Sequence, residues 1–276
     1  VVGITHGHEV WWARVPGARH LLRRIGDDTD ALTYVSDYCR REISKSLSPD
    51  AARRMERLSP RVDSARFHAG LDGGAVRARL GIPPHRPVVL AASRLVRRKG
   101  QDMLIRAWPE VLGRHPDALL LIVGDGPSRR RLARMIRTRR LDDSITMLPG
   151  VPWEDMPALY AAADVFALPC RTRLWGLEPE AFGIVFLEAA AVGLPVLAGD
   201  SGGAHEALTG ADGRLVDPRD QRSISELLVE LLDQSLRPHS GRRGDRPQER
   251  VAAPAGSQRG RRPALLTIGE KQDRAG

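Results

Sequence analysis

Two uninterrupted apolar runs, Val88–Ala92 and Leu119–Val123, most narrow what this chain can fold into. Each is too short for an ordinary helix and has no polar face. Each therefore reads as a parallel strand covered on both sides. Between them Leu104, Ile105, Trp108, Val111 and Leu112 keep helical phase, and Pro109 inside that run predicts a kink or an early break. The same alternation continues. Strands are expected at 145–148, 165–168, 195–198 and 213–216, and helices at 128–139, 156–162, 204–208 and 224–232. Strand and helix in turn, joined by short loops, describe an α/β fold with a doubly wound parallel sheet.

Upstream the pattern is more broken. Residues 1–5 read as the end of a buried strand, with His6-Gly7-His8-Glu9 turning at its carboxyl end, the binding side of such a sheet. His6 is a candidate to act on a ligand; two His and a Glu at this spacing are a weak metal signal. Trp11-Trp12 beside Arg14 suits either a membrane-interface contact or a buried aromatic pair. A strand at 32–35 leads to Ser36-Asp37, which cap a helix running through 43. Residues 50–58 read as a short Arg-rich helix, and 59–87 as a linker with one helical turn near 74–80.

The formal net charge of +9 favours anionic partners: nucleic acid, an acidic lipid surface or a phosphorylated ligand. An Arg-rich, high-GC coding bias gives the same number. Cys39 and Cys170 form no framework and no metal spacing; they read as small buried apolar residues in a reducing compartment. No run is long and apolar enough to span a bilayer, and the first residues do not make a signal peptide. Walker-A, nucleophile-elbow and zinc patterns are absent. Gly124-Asp125-Gly126-Pro127 is too short for the dinucleotide fingerprint, which counts against nicotinamide chemistry.

Chemistry concentrates in loops after strands. Arg94 and Lys99, before Gly100, can neutralise a diphosphate, one as a fork and the other as a point charge. Glu180 and Glu188 flank Phe182-Gly183, with Glu180 in a loop and Glu188 past the first turn of a helix. They can reach different parts of one ligand. The helix start offers N–H groups and a positive dipole end suited to phosphate.

Ser93-Arg94-Leu95 with Lys99-Gly100, then residues 123–127, then Glu180-Ala181-Phe182-Gly183 with Glu188, resemble in order and spacing the donor half of family-four retaining glycosyltransferases of the GT-B fold. Segments 5–14, 151–173 and 183–204 resemble more narrowly the actinobacterial mannosyltransferases that extend phosphatidylinositol mannosides from GDP-mannose. The resemblance implies residues 1–75 as the last part of a first Rossmann-like domain plus linker and 76–236 as the nucleotide-sugar domain; residues 237–276, poor in apolar residues, match nothing and read by composition as a disordered tail. The chain is expected to be truncated at its start, and a shifted reading frame is an alternative account of the tail. A nucleic-acid-binding tail lacks aromatics for stacking.

By the same resemblance Arg94 and Lys99 would hold the diphosphate, aided by amides at Phe182, Gly183 and Ile184. Glu188 would bind ribose hydroxyls, Glu180 sugar hydroxyls, Gly150 and Val151 the base, and His6 the sugar near its reacting carbon. The implied partners are a nucleotide sugar and a lipid acceptor at an anionic membrane surface, with no specific nucleic acid, no metal or other cofactor, and a monomeric, cytoplasmic protein peripheral to the inner face of the plasma membrane. His205 before Glu206, and Trp175 and Pro179 near Glu180, depart from the usual pattern. With the family's opening strand, its glycine-rich loop and its last crossing helix not found in this sequence, they make weak or absent transfer an expectation for this polypeptide.

Overall fold

The computed structural model describes residues 1–236; the expectations for 237–276 lie outside the described residues. Two parallel sheets organise it. The first holds three strands in the order β1 (Val2–Gly3), β2 (Ala31–Tyr34) and β3 (Met55–Arg57). Helices α1 (Glu9–Arg14) and α2 (Pro16–Asp27) join β1 to β2; α3 (Asp37–Ser44) and α4 (Pro49–Arg53) join β2 to β3. Ser36 caps α3 by accepting from the Cys39 amide, as the sequence predicts. Pro16 at the first position of α2 supplies a preset φ where its missing N–H costs nothing.

Three expectations need correction. The strand at the chain start is not buried: Val1, Val2 and Ile4 are exposed because β1 is a sheet edge, and only Thr5 is enclosed. Residues 50–58 are not one helix. α4 ends at Arg53, and Met55 then pairs with Leu32 in parallel register, burying its side chain where a helix would have turned it away. Pro109 does not break its helix, α6 (Gln101–Leu112). It removes one donor near the helix end, while Leu104, Ile105, Trp108 and Val111 stay fully buried and hold the last turn in place.

The second sheet carries six strands: β4 (Val88–Ala92), β5 (Leu119–Val123), β6 (Ile145–Leu148), β7 (Val165–Leu168), β8 (Val196–Gly199) and β9 (Gly213–Val216). Their spatial order is β6-β5-β4-β7-β8-β9, all parallel. Every residue of β4, β5, β7 and β8 is buried, which explains their unbroken apolar composition. α5 (Gly74–Arg79) precedes this sheet, and α7 (Arg129–Thr138), α8 (Met156–Ala161), α9 (Ile184–Ala191), α10 (Ala204–Ala207) and α11 (Gln221–Leu236) follow its strands. α11 packs on α6 and β7. On the other face Tyr160 of α8 and Phe186 of α9 both meet Phe166 of β7, at ring separations of 5.4 and 6.1 Å. Each such ring, fully buried, contributes about 1.5–3 kcal/mol.

The chain reverses direction across the sheet between β4 and β7. In an open α/β sheet that is where a crevice opens at the carboxyl ends of the strands. α5 is tied to this sheet by the Arg77 guanidinium, which donates to Asp164 at 2.8 Å and to the Ala162 and Arg86 carbonyls.

Candidate functional site

Lys99 and Glu180 meet at that reversal. The loop after β4 closes in a 3₁₀ turn over residues 97–99. Gly100 then takes φ +78°, and a Cβ there would stand 2.0 Å from the Pro169 carbonyl oxygen. Only glycine permits this approach, and it presses Lys99 against the end of β7. The Lys99 Nζ donates to Glu180 at 2.6 Å, and Arg98 Nη1 to the same carboxylate at 2.9 Å. Both Lys99 and Glu180 are buried. Burial pushes the Glu180 carboxyl up, but the Lys99 and Arg98 charges and the hydrogen bonds from Lys99 and Cys170 outweigh it and hold the group below its ordinary range. Neither carboxylate lies on a solvated helix face.

Arg94 lies on the same loop and is exposed. Its carbonyl and the Ser93 hydroxyl accept from the buried Gln101 side chain at 3.2 and 2.9 Å. The 124–127 turn buttresses this loop: Ser93 donates to Val123, Leu95 to Asp125, and Ser128 to Leu95.

Glu188, on α9, faces elsewhere. The Tyr160 hydroxyl donates to it at 2.9 Å. Burial raises its carboxyl, against the pull of the Tyr160 and Trp153 side chains. The two glutamates therefore have separate environments and opposite shifts. Phe182 is buried, and Gly183 with φ +91° opens α9, whose first turn no side chain caps. The amides of Ile184 and Val185 begin the helix and lack intrahelical acceptors. Gly150 is exposed and its amide donates to Asp125 at 2.7 Å; Val151 is half-buried. Two residues on, Trp153 stands beside Glu188.

His6 approaches from the first sheet. Gly7 packs so closely on Ala181, next to Glu180, that a Cβ at Gly7 would lie 2.2 Å from the Ala181 Cβ. Glu9 accepts from the His6 and Gly7 amides at 3.1 and 2.9 Å and so shapes this turn. Trp11 is exposed and Trp12 half-buried, so the two do not form a buried aromatic pair. Cys39 and Cys170 are free and buried, with burial pushing their thiols up to about 11 and about 12.

The structure thus gathers Lys99, Glu180 and the start of α9 with the turn bearing His6, and sets Glu188 with Tyr160 and Trp153. It adds Arg98 and Tyr160, which the sequence reading leaves out. Arg98 is one position from a chosen lysine, and nothing in the sequence says that the turn aims both inward. Tyr160 falls in the apolar phase of α8; its signal is that a buried phenol seeks a polar partner.

A family model described as glycosyl transferases group 1 matches residues 74–246. The chain is 49% identical over 234 residues to the GDP-mannose-dependent alpha-(1-6)-phosphatidylinositol monomannoside mannosyltransferase of Mycolicibacterium smegmatis, covering 84% of this chain and 60% of that protein. It is 45% identical over 239 residues to the GDP-mannose-dependent monoacylated alpha-(1-6)-phosphatidylinositol monomannoside mannosyltransferase of Corynebacterium glutamicum, covering 86% and 62%. Among solved structures it is similar to WaaG, a glycosyltransferase involved in lipopolysaccharide biosynthesis, with a TM-score of 0.63 and 27% identity over 75% of this chain and 55% of that one. The chain spans about three-fifths of the length of the curated relatives it matches.

Proposed function

This chain belongs to the group 1 glycosyl transferases and has the GT-B type of α/β fold, and from that premise we propose that it binds a nucleotide sugar between its two sheets and transfers the sugar to a lipid-linked acceptor. GDP-mannose is the donor this reading favours, and a phosphatidylinositol mannoside the acceptor, after the relatives named above. The observation that carries it is Lys99, buried at the reversal point beside the uncapped start of α9.

In the reaction the bond between the anomeric carbon and the diphosphate oxygen breaks, and negative charge builds on the leaving diphosphate. Lys99, Arg94 and the first amides of α9 meet that charge with fixed positive ends. Glu180 neutralises and orients Lys99 and presents its remaining acceptor capacity to sugar hydroxyls. Glu188, steadied by Tyr160, accepts from the ribose hydroxyls. The Gly150 amide is engaged by Asp125, so the base is left to the Gly150 carbonyl and the Val151 amide. His6 lies where the sugar would enter. The acceptor hydroxyl attacks the face the diphosphate leaves, which retains configuration, and its proton passes to the departing phosphate oxygen.

Calorimetric titration with GDP and with UDP, followed by transfer of labelled mannose from GDP-mannose, tests the proposal. Lys99→Ala is expected to weaken GDP binding about tenfold or more. A folded chain that binds neither nucleotide would sink it. Binding without transfer would assign the nucleotide-binding role alone.

A further inference from the structure

One loop exposes apolar side chains against the ordinary preferences of its backbone. Between Glu180 and β7, residues 173–178 fold back on themselves through a bridge between Arg173 and Glu178, closed by an ion pair at 3.0 Å. At the tip Leu174 and Trp175 both adopt φ +50°, a region unfavourable for bulky side chains. Trp175 is 97% exposed and Leu174 46%. The tip is held there from α1, since Arg14 Nη1 donates to the Trp175 carbonyl at 3.1 Å.

Arg14 connects the tip to a basic surface. It pairs with Glu42 at 2.7 Å, Lys45 pairs with the same carboxylate at 2.6 Å, and Arg19 donates to the Lys45 carbonyl at 3.3 Å. Arg14, Lys45 and Arg19 against Glu42 leave an excess of two positive charges along this line; Arg173 is neutralised by Glu178. Trp11 is exposed one helical turn before Arg14, on the same face of α1. Further along, α2 exposes Arg23 and Arg24, with Asp27 near Arg23. Apolar rings beside cationic side chains that continue away from them are the composition that binds at the headgroup level of an anionic bilayer. The rings enter the interface and the cations meet lipid phosphates.

We propose that Trp175 and Leu174, with Trp11 and the line Arg14–Lys45–Arg19, form a contact surface for an anionic lipid bilayer. This deepens the lipid-acceptor part of the function proposed above. The loop that carries the tip also carries Glu180, so docking on the bilayer brings headgroups to the mouth of the same crevice.

The test is co-sedimentation of the whole chain with phosphatidylcholine vesicles, with and without phosphatidylinositol, alongside GDP titration of the same samples. The wild type is expected to bind the anionic vesicles and to be released by added salt. Trp175→Ser is expected to weaken vesicle binding about tenfold and Arg19→Gln about fivefold, both with unchanged GDP binding. Equal vesicle binding by wild type and Trp175→Ser, or none by either, overturns the surface. A concentration-dependent dimer lost in Trp175→Ser, without vesicle binding, assigns the tip to a protein contact and also overturns it. Vesicle binding by a chain that takes no GDP would support the surface while refuting the donor site.

Discussion

Replacing Glu180 by Gln isolates the interaction on which the proposed site rests. The carboxylate accepts from Lys99 at 2.6 Å and Arg98 at 2.9 Å, and its side chain is 7% exposed, against 11% for Lys99 and 29% for Arg98. The substitution keeps the shape and removes the charge, which leaves a buried ammonium without its counter-ion. Breaking a buried pair from one side costs about 3–5 kcal/mol. The lower end applies here, because the amide oxygen still accepts and Arg98 reaches solvent. About 3 kcal/mol corresponds to a Tm lower by about 6–12 °C for a domain of this size. The sign with pH follows from the depressed carboxyl. Its stabilisation is present above the unfolded carboxylate value and is lost as pH falls through the lower folded one, so the gap between variant and wild type closes in acid. A diphosphate in the crevice would return negative charge to Lys99. GDP should therefore raise the Tm of Glu180→Gln more than that of the wild type, while sugar transfer falls. Melting curves with and without GDP measure all of this. A Tm loss under about 1 °C, or equal GDP shifts in the two proteins, would refute the reasoning.

Glu188→Gln should act in the opposite sense on stability. Burial raises this carboxyl, so its contribution is full below the unfolded value and is lost as pH rises through the folded one. The neutral amide should raise the Tm at neutral pH, while GDP binds about tenfold more weakly for want of a charged ribose acceptor; paired melting and titration against pH check both. Gly100→Ala should cost about 2 kcal/mol or more in urea unfolding, because a Cβ would meet the Pro169 carbonyl at 2.0 Å with φ at +78°. Wild-type stability in that variant would contradict the close approach.

The larger sheet was legible because its inner strands are buried on both faces and the rest alternate with phased helices, so β4, β5, β6, β7 and β9 fall where composition puts them. The smaller sheet was not. β1 has two residues and β3 three, too few to show a period, and β3 exists only because Met55 lies beside Leu32. In the site, Lys99, Glu180 and Glu188 were legible as charged residues at loop and helix starts. Their pairing was not, because it depends on the turn that Gly100 permits. Arg98 and Tyr160 join through three-dimensional neighbours that sequence spacing does not encode. The tip at Trp175 stood out only as an unusual residue, since exposure is a property of the folded chain.

Two helix starts, those of α3 and α9, lie near the contact between Ser36 and Ala181, and their caps differ in what they leave for an anion. The start of α3 is already satisfied. Glu206 accepts from the Asp37 and Tyr38 amides at 2.8 and 3.0 Å, Ser36 accepts from Cys39, and Arg57 reaches both Glu206 and Asp37. Two carboxylates there would repel a diphosphate. The start of α9 has no side-chain cap and stands after Gly183, on the loop whose Glu180 holds Lys99. Ser36 Oγ donates to the Ala181 carbonyl at 2.7 Å, so the capped helix braces the loop that leads to the uncapped one. The acidic cap from α10 ties the start of α3 to the larger sheet's side, and on the proposed function the dipole of α9 is left to the ligand. On the function proposed above, a diphosphate entering this crevice is expected to settle at α9 and Lys99 rather than at α3.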